Sequence, residues 1–154
     1  MSRVVLVLNG PNLNLLGSRE PNVYGTETLA DVGARLDALA TDLGATLQHQ
    51  QTNAEGALVD LVHAAAAAGV DGAVINAGAY AHTSVALRDA LVGTSLPFVE
   101  VHVSNVWRRE AFRHESLLSN VAIGVVVGLG TEGYLLALRG LLAKLPGASG
   151  SLGV

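Results

Sequence analysis

Short apolar runs alternate along this chain with stretches in which apolar residues recur at helical spacing. Val4–Leu8 is a β-branched run ended by turn residues, which predicts a buried strand. From Thr28 to Leu43 apolar residues repeat every three or four positions, and Gly44 fits a C-cap, so a helix is predicted there. The alternation continues to the C-terminus. Further strands are predicted at Ala45–Gln51, Ala73–Asn76, Phe98–Val103 and Val121–Val127, and further helices at Glu55–Ala68, from Thr83 or Ser84 to about Val92, and at Glu132–Lys144.

Strands that alternate with helices predict a parallel sheet covered on both faces. Five such strands indicate an α/β, flavodoxin-like, doubly wound five-stranded parallel sheet of order 2-1-3-4-5, in three α/β/α layers. Residues 1–145 are predicted to form a single domain, and the Gly/Ser-rich residues 146–154 a flexible C-terminal tail.

Polar residues are concentrated directly after the first, third and fourth predicted strands. They occupy Asn9–Asn12, Asn76–His82 and His102–Asn105. In an open α/β sheet, ligands bind at the carboxyl ends of the strands, where the strand order reverses. We therefore expect these three segments to converge on one site.

The composition narrows the range of partners. Half of the residues are apolar, 14% are charged and the net charge is −4, with no run of like charges. This balance argues against nucleic acid or an anionic membrane as the main partner, and the apolar excess suggests subunit contacts. The absence of cysteine excludes thiolate chemistry. No targeting segment is visible, so a cytoplasmic location is expected.

The loop from Asn9 to Gly25 is rich in Asn, Gly and Pro and carries Arg19 and Tyr24. It lacks the spaced glycines of a dinucleotide-binding loop and the Gly-Lys-Ser/Thr of a P-loop. It can be a plain surface loop with a solvated arginine and a packing tyrosine. Alternatively, Gly17 and Gly25 act as hinges and the segment between them closes over a ligand as a lid.

The second and third polar segments contain histidines. His82 lies between a strand end and a helix start, where it either caps the helix or helps to bind a carboxylate. Glu100 and His102 are two residues apart in a strand, so their side chains share one face. Such a pair is either an acid–base device or a buried structural pair. Arg108, Arg109 and Arg113 are expected on a short helical stretch that follows; such charges are usually solvated or at an interface.

Two other chemistries receive little support. The spacing of His82, Glu100, His102 and His114 matches no strong metal-ligand signature, so no metal is predicted. Lys144 is the only lysine and lies at the end of the last predicted helix, which leaves no lysine near the site for a Schiff base.

Three segments, Asn9–Gly25, Asn76–Ala90 and Glu100–Ser116, together resemble type II 3-dehydroquinate dehydratase, the third enzyme of the shikimate pathway. The resemblance continues through Gly128 and the Gly133–Tyr134 helix. It implies a cofactor-free lyase that converts 3-dehydroquinate to 3-dehydroshikimate by anti elimination through an enolate. It also implies a homo-oligomer, a dodecamer built as a tetramer of trimers.

The resemblance implies a role for each matching residue. Tyr24 is implied as the base, Arg19 as the group that keeps it ionised, and His102 as the general acid. Glu100 is implied to orient His102, and Asn12 to hold a water at the developing enolate.

The remaining implied roles concern binding. The residues implied to bind the substrate's hydroxyls and carboxylate are Asn76, His82, Val103, Ser104 and Arg113. Asp89 is implied to reach the site of a neighbouring subunit.

Three positions depart from the usual motif of the family. Ala77 stands where proline is common, Ala81 where threonine is common, and Glu115 where histidine is common. A negative charge at Glu115 is expected to weaken the positive field near Arg113.

Two alternative functions stay open: a flavin- or nucleotide-binding domain of the same fold, and a catalytically inactive member of the family.

Overall fold

A five-stranded parallel sheet of order β2-β1-β3-β4-β5 is the centre of the protein. The computed structural model describes residues 2–18, 22 and 25–147. The strands are β1 (Arg3–Asn9), β2 (Ala45–Gln51), β3 (Gly72–Asn76), β4 (Phe98–His102) and β5 (Gly124–Val127). The helices are α1 (Leu29–Asp42), α2 (Glu55–Ala67), α3 (Val85–Thr94) and α4 (Glu132–Lys144). The flavodoxin-like strand order predicted from the sequence is confirmed.

Strand β1 contributes apolar side chains to both faces of the sheet, because helices cover both sides. Val5 and Val7 of β1 contact one core layer, which contains side chains of α1 and α4. Leu6 and Leu8 of β1 contact the other layer, formed with α2 and α3. Within β1, residues Val4–Leu8 form a continuous apolar run, as is usual in parallel strands that are buried on both faces.

The helix ends follow local signals in the sequence. Thr28 caps α1: its hydroxyl accepts from the Asp31 backbone N–H at 3.1 Å, and the Asp31 carboxylate accepts from the Thr28 N–H at 3.0 Å. This reciprocal capping box satisfies two free N–H groups of the first turn. Ser84, one of the two predicted caps, accepts from the Leu87 N–H at 2.9 Å at the start of α3.

The predicted bounds differ from the structure around the fifth strand. β5 begins at Gly124 and not at Val121, because Ser119–Val121 forms a 3-10 helix and Gly124 is the first residue paired with β4. The stretch expected to carry Arg108, Arg109 and Arg113 is two 3-10 turns, Val106–Arg108 and Ala111–Arg113.

Several sequence predictions fall on residues outside the described part of the chain. These are Arg19, Tyr24, most of the proposed lid, and residues 148–154 of the proposed tail. The first tail residue, Pro146, accepts a hydrogen bond on its carbonyl from the Arg3 guanidinium. In the described ranges, no helix has the length and apolar character needed to cross a membrane.

Candidate active site

The cavity at the carboxyl ends of β1, β3 and β4 lies where the strand order reverses. The register places Asn9 of β1 beside Asn76 of β3, so the two loops that follow start side by side. They approach so closely that a Cβ on Gly10 would lie 2.4 Å from the Ala77 carbonyl oxygen, and the Gly10 N–H donates to the Asn76 carbonyl at 2.8 Å. Only glycine fits at position 10 without moving one of the two loops.

The three polar segments converge on this cavity of about 140 Å³, as predicted. Its lining residues are Pro11, Asn12, Leu13, Leu16, Asn76, Gly78, Ala79, His82, His102, Val103, Ser104, Val106, Arg109 and Arg113.

His102, the last residue of β4, is held by a carboxylate on the same strand. Its Nε2 lies 2.5 Å from Glu100 Oε2. Because a carboxylate can only accept, Nε2 carries the hydrogen of this bond. The other ring nitrogen, Nδ1, is left for exchange of a proton with a bound molecule. The predicted sharing of one strand face by Glu100 and His102 is confirmed.

Glu100 is fully buried behind His102, yet it is surrounded by donors. Burial alone raises the pKa of its carboxyl, but hydrogen bonds from His102, Ser119 and Ser116 outweigh it and lower that pKa below 4.5. The serine hydroxyls donate at 2.5 Å from Ser119 to Oε1 and at 2.7 Å from Ser116 to Oε2. Glu100 is therefore an ionised acceptor near neutral pH.

A second histidine stacks against the first. The rings of His82 and His102 lie 5.8 Å apart between centroids, with 23° between their planes. His82 Nδ1 lies 2.8 Å from the backbone carbonyl of Glu115, so it is the nitrogen that carries a hydrogen. In its neutral form His82 presents Nε2 as an acceptor. Glu115, the departure from the usual motif, thus contributes its main chain here.

Asn76 is oriented by a buried tyrosine from the last helix. The Tyr134 hydroxyl accepts from Asn76 Nδ2 at 3.0 Å and donates to Asn9 Oδ1 at 2.6 Å. Asn76 Oδ1 also accepts from the Gly78 N–H at 3.1 Å. Burial strongly raises the pKa of the Tyr134 phenol, so it stays neutral and cannot serve as a base.

Two arginines give the cavity a positive wall. Arg113 lies beside Glu110, with Nε 3.3 Å from both carboxylate oxygens, and its guanidinium sits 5.0 Å from the centre of the Phe112 ring. Arg109 donates to the Ser104 hydroxyl at 3.3 Å. Guanidinium groups are suited to binding carboxylates.

The structure brings most of the predicted site residues together. Seven of them line the cavity: Asn12, Asn76, His82, His102, Val103, Ser104 and Arg113. Glu100 lies behind His102. Asp89 is exposed on α3 and does not line this chain's cavity, which leaves its predicted role toward another subunit a prediction. Tyr24 and Arg19 lie outside the described residues.

Sequence reasoning did not single out four residues of the site: Arg109, Ser116, Ser119 and Tyr134. The spacing of Arg109 and its neighbours in the sequence does not distinguish it from a solvated arginine. The two serines follow Glu100 by 16 and 19 positions, and Tyr134 follows Asn76 by 58, so no local spacing signals these contacts. Among the described side chains, no three His, Asp or Glu residues group closely enough to hold a metal ion.

Fold and site together define a flavodoxin-like α/β protein whose cleft is equipped for acid–base chemistry. The profile of the family described as dehydroquinase class II matches residues 3–142. A 3-dehydroquinate dehydratase of Bordetella avium is 58% identical over 139 residues, which cover 90% of this chain and 96% of that protein. A catabolic 3-dehydroquinase of Aspergillus oryzae is 59% identical over 139 residues, 90% of each chain.

A solved structure has a similar backbone fold. The crystal structure of type II dehydroquinase from Butyrivibrio crossotus superposes with a TM-score of 0.88 at 43% identity and covers 91% of this chain and 97% of that one. The chain therefore belongs to the class II dehydroquinase family. The resemblance stated from the sequence is confirmed, and so is the prediction of an enzyme of this family.

Proposed function

We propose that this protein dehydrates 3-dehydroquinate to 3-dehydroshikimate, with Tyr24 as base, Arg19 as its activator and His102 as general acid. The observation that carries the proposal is the Glu100–His102 pair, 2.5 Å apart, at the cavity that the three polar segments form. Relatives that are more than half identical over most of the chain bear the name of this activity.

The proposed reaction begins with removal of a proton at C2, which is α to a ketone and gives an enolate. A phenol has an ordinary pKa near ~10, so the base must be helped to ionise. A guanidinium beside a phenol favours the phenolate, and Arg19 is proposed to do this for Tyr24. The other two tyrosines are poor candidates: Tyr134 is buried and neutral, and the Tyr80 hydroxyl donates to the Asn53 carbonyl at 3.2 Å.

His102 is proposed to protonate the C1 hydroxyl as it leaves as water. The ionised Glu100 on Nε2 stabilises the imidazolium form and leaves Nδ1 as the nitrogen that donates. A water held by Asn12 is proposed to stabilise the enolate oxygen through a hydrogen bond. Base and acid come from different segments of the chain, which permits their action on opposite sides of the ring in an anti elimination.

The cavity wall is proposed to hold the substrate. Arg113, Ser104 and the main chain near Val103 suit a carboxylate, while Asn76 and the Nε2 acceptor of His82 suit ring hydroxyls. We add Arg109 to this set, because it lines the same cavity and contacts Ser104.

The test is an assay of the purified protein with 3-dehydroquinate, in which ultraviolet absorbance rises as the conjugated product forms. Activity is expected to survive EDTA, and borohydride with substrate is not expected to inactivate the enzyme. Tyr24→Phe should lower kcat by at least about 10²-fold, the low end for an acid–base group. Tyr80→Phe is the matched control and should leave kcat near that of the parent.

Three outcomes would contradict the proposal. An enzyme that forms no product from 3-dehydroquinate does not have this activity. Loss of activity in EDTA with recovery on adding a metal would point to another mechanism. Near-normal turnover of Tyr24→Phe would mean that a different group is the base.

We also propose that the protein acts in the cytoplasm as a homo-oligomer, a dodecamer built as a tetramer of trimers. Exposed apolar side chains on and near the edge strand β5 support an oligomer; these include Ile123, Val125 and Leu129. Sizing by light scattering tests it, and a fully active monomer would refute it.

A further inference from the structure

Glu100 carries its charge in full burial, and its hydrogen bonds divide between its two oxygens. Ser119 donates to Oε1, while His102 and Ser116 both donate to Oε2. A buried carboxylate is costly unless it is hydrogen-bonded or paired. The ionised state of Glu100 therefore depends on these contacts.

The direction of the serine hydrogens follows from their other partners. The backbone N–H of Leu118 donates to the Ser116 hydroxyl at 3.1 Å. Since that oxygen accepts from Leu118, its single hydrogen is free to point at Glu100. The Ser119 oxygen lies 2.5 Å from Oε1, and because an ionised carboxylate can only accept, the Ser119 hydroxyl is the donor.

The segment that carries both serines is held by hydrogen bonds to α3 and to the loop that contains Ala81. Arg88 of α3 donates through Nη1 to the Leu117 carbonyl at 2.6 Å and to Asn120 Oδ1 at 2.5 Å. The Leu117 N–H donates to the Ala81 carbonyl at 2.7 Å, and Leu118 is fully buried. The serine hydroxyls are thus held in place before any ligand binds, as a supporting shell must be.

We propose that Ser116 and Ser119 are positioning residues for the dehydration, acting through Glu100 on His102. The inference rests on the proposed function of His102 as general acid. An ionised Glu100 keeps the hydrogen on Nε2 and allows the ring to carry a second hydrogen at Nδ1, which it can donate. A protonated Glu100 would instead donate to Nε2 and leave a neutral ring, whose remaining N–H is a very weak acid.

Other titratable groups close to this pair include His82, Arg109 and Arg113 at the cavity. The His82 ring stacks on the His102 ring, and both Arg109 and Arg113 line the cavity. Among the described residues, the hydrogen-bond donors to Glu100 are the two serines and His102. The serines are therefore the groups whose removal changes the carboxylate most directly.

The first test compares Ser119→Ala with Ser119→Thr, which keeps the hydroxyl, and with Thr94→Ala. The Thr94 hydroxyl is partly buried at the end of α3, bonded to the Ala90 carbonyl and away from the cavity. Loss of a hydrogen bond to a charged group should lower kcat about tenfold in Ser119→Ala, with KM within about twofold of the parent. Ser119→Thr should recover most of the activity, and Thr94→Ala should lose stability but not kcat.

The second test asks whether the effect passes through Glu100. In a Glu100→Gln background, Ser119→Ala should lower kcat by less than about twofold, because coupled residues are not additive. The full loss in that background would overturn the proposal, since the serine would then act on the fold alone. Ser116→Ala provides the same comparison if Ser119→Ala fails to fold.

A third readout does not depend on turnover. Carbon-13 NMR of the free protein should show the Glu100 carboxyl titrating at higher pH in Ser119→Ala than in the parent, and unchanged in Thr94→Ala. An unshifted titration would overturn the proposal even if kcat fell. If the parent protein does not dehydrate 3-dehydroquinate, the proposed function fails, and this measurement still decides whether the serines hold Glu100 ionised.

Discussion

Replacement of Tyr134 by phenylalanine tests how much the hydrogen bonds of its hydroxyl contribute to stability and to the position of Asn76. The hydroxyl links Asn76 Nδ2 at 3.0 Å and Asn9 Oδ1 at 2.6 Å, and all three residues are buried. Phenylalanine keeps the ring volume but removes both contacts. It leaves one donor and one acceptor without a partner in the interior.

The expected cost follows from those two orphaned groups. Each unsatisfied buried polar group costs about 1–3 kcal/mol. The hydroxyl no longer has to be desolvated in the variant, which offsets part of that cost. The free energy of unfolding is therefore expected to fall by about 2–4 kcal/mol. With a urea m-value of about 2 kcal/mol/M, the unfolding midpoint should fall by about 1–2 M. Because Asn76 loses its brace, kcat/KM for the proposed reaction should fall as well.

Urea unfolding at one fixed protein concentration measures the effect, since association changes apparent stability. Tyr80→Phe is the matched control: it removes one hydrogen bond, to the Asn53 carbonyl at 3.2 Å, from a partly exposed tyrosine. Its cost should stay below about 1 kcal/mol. A loss for Tyr134→Phe no larger than that of the control would refute the reasoning.

Three further predictions concern the carboxylate, the loop contact and the subunit boundary. Folding lowers the pKa of the Glu100 carboxyl, so the ionised carboxylate contributes to stability above pH 4.5. This contribution is lost as the pH falls through the pKa of the folded state. The stability of Glu100→Gln in acid unfolding should therefore depend less on pH than that of the parent. Gly10→Ala should lower stability by at least about 2 kcal/mol in urea unfolding and reduce activity, because the added Cβ would clash with the Ala77 carbonyl. An unchanged stability would show that the loops after β1 and β3 separate easily. Mixing Asp89→Ala with a variant inactive at His102 should restore some activity if the subunits exchange. If exchange is demonstrated and the mixture stays inactive, Asp89 acts on the site of its own chain.

The sequence was sufficient wherever the signal is local. Val4–Leu8 lies within β1, because a short, β-branched run that ends at turn residues favours a buried strand. Thr28 and Asp31 are three positions apart, which is the reach of a capping box. The predicted start of the fifth strand is wrong, because the β-branched Val121 belongs to a 3-10 helix and the strand register with β4 begins at Gly124.

The amino-acid sequence alone determined the alternation of strands and helices, the strand order, and the joint placement of Glu100 and His102 on one strand face. The alternation and the shared strand face follow from side-chain periodicity. The strand order is the flavodoxin-like one that five strands alternating with helices indicate. Only the tertiary structure decided that Ser116 and Ser119 surround Glu100 and that Tyr134 links Asn9 to Asn76. Those contacts join residues 16 to 125 positions apart, and chain folding, not spacing, brings them within hydrogen-bond distance.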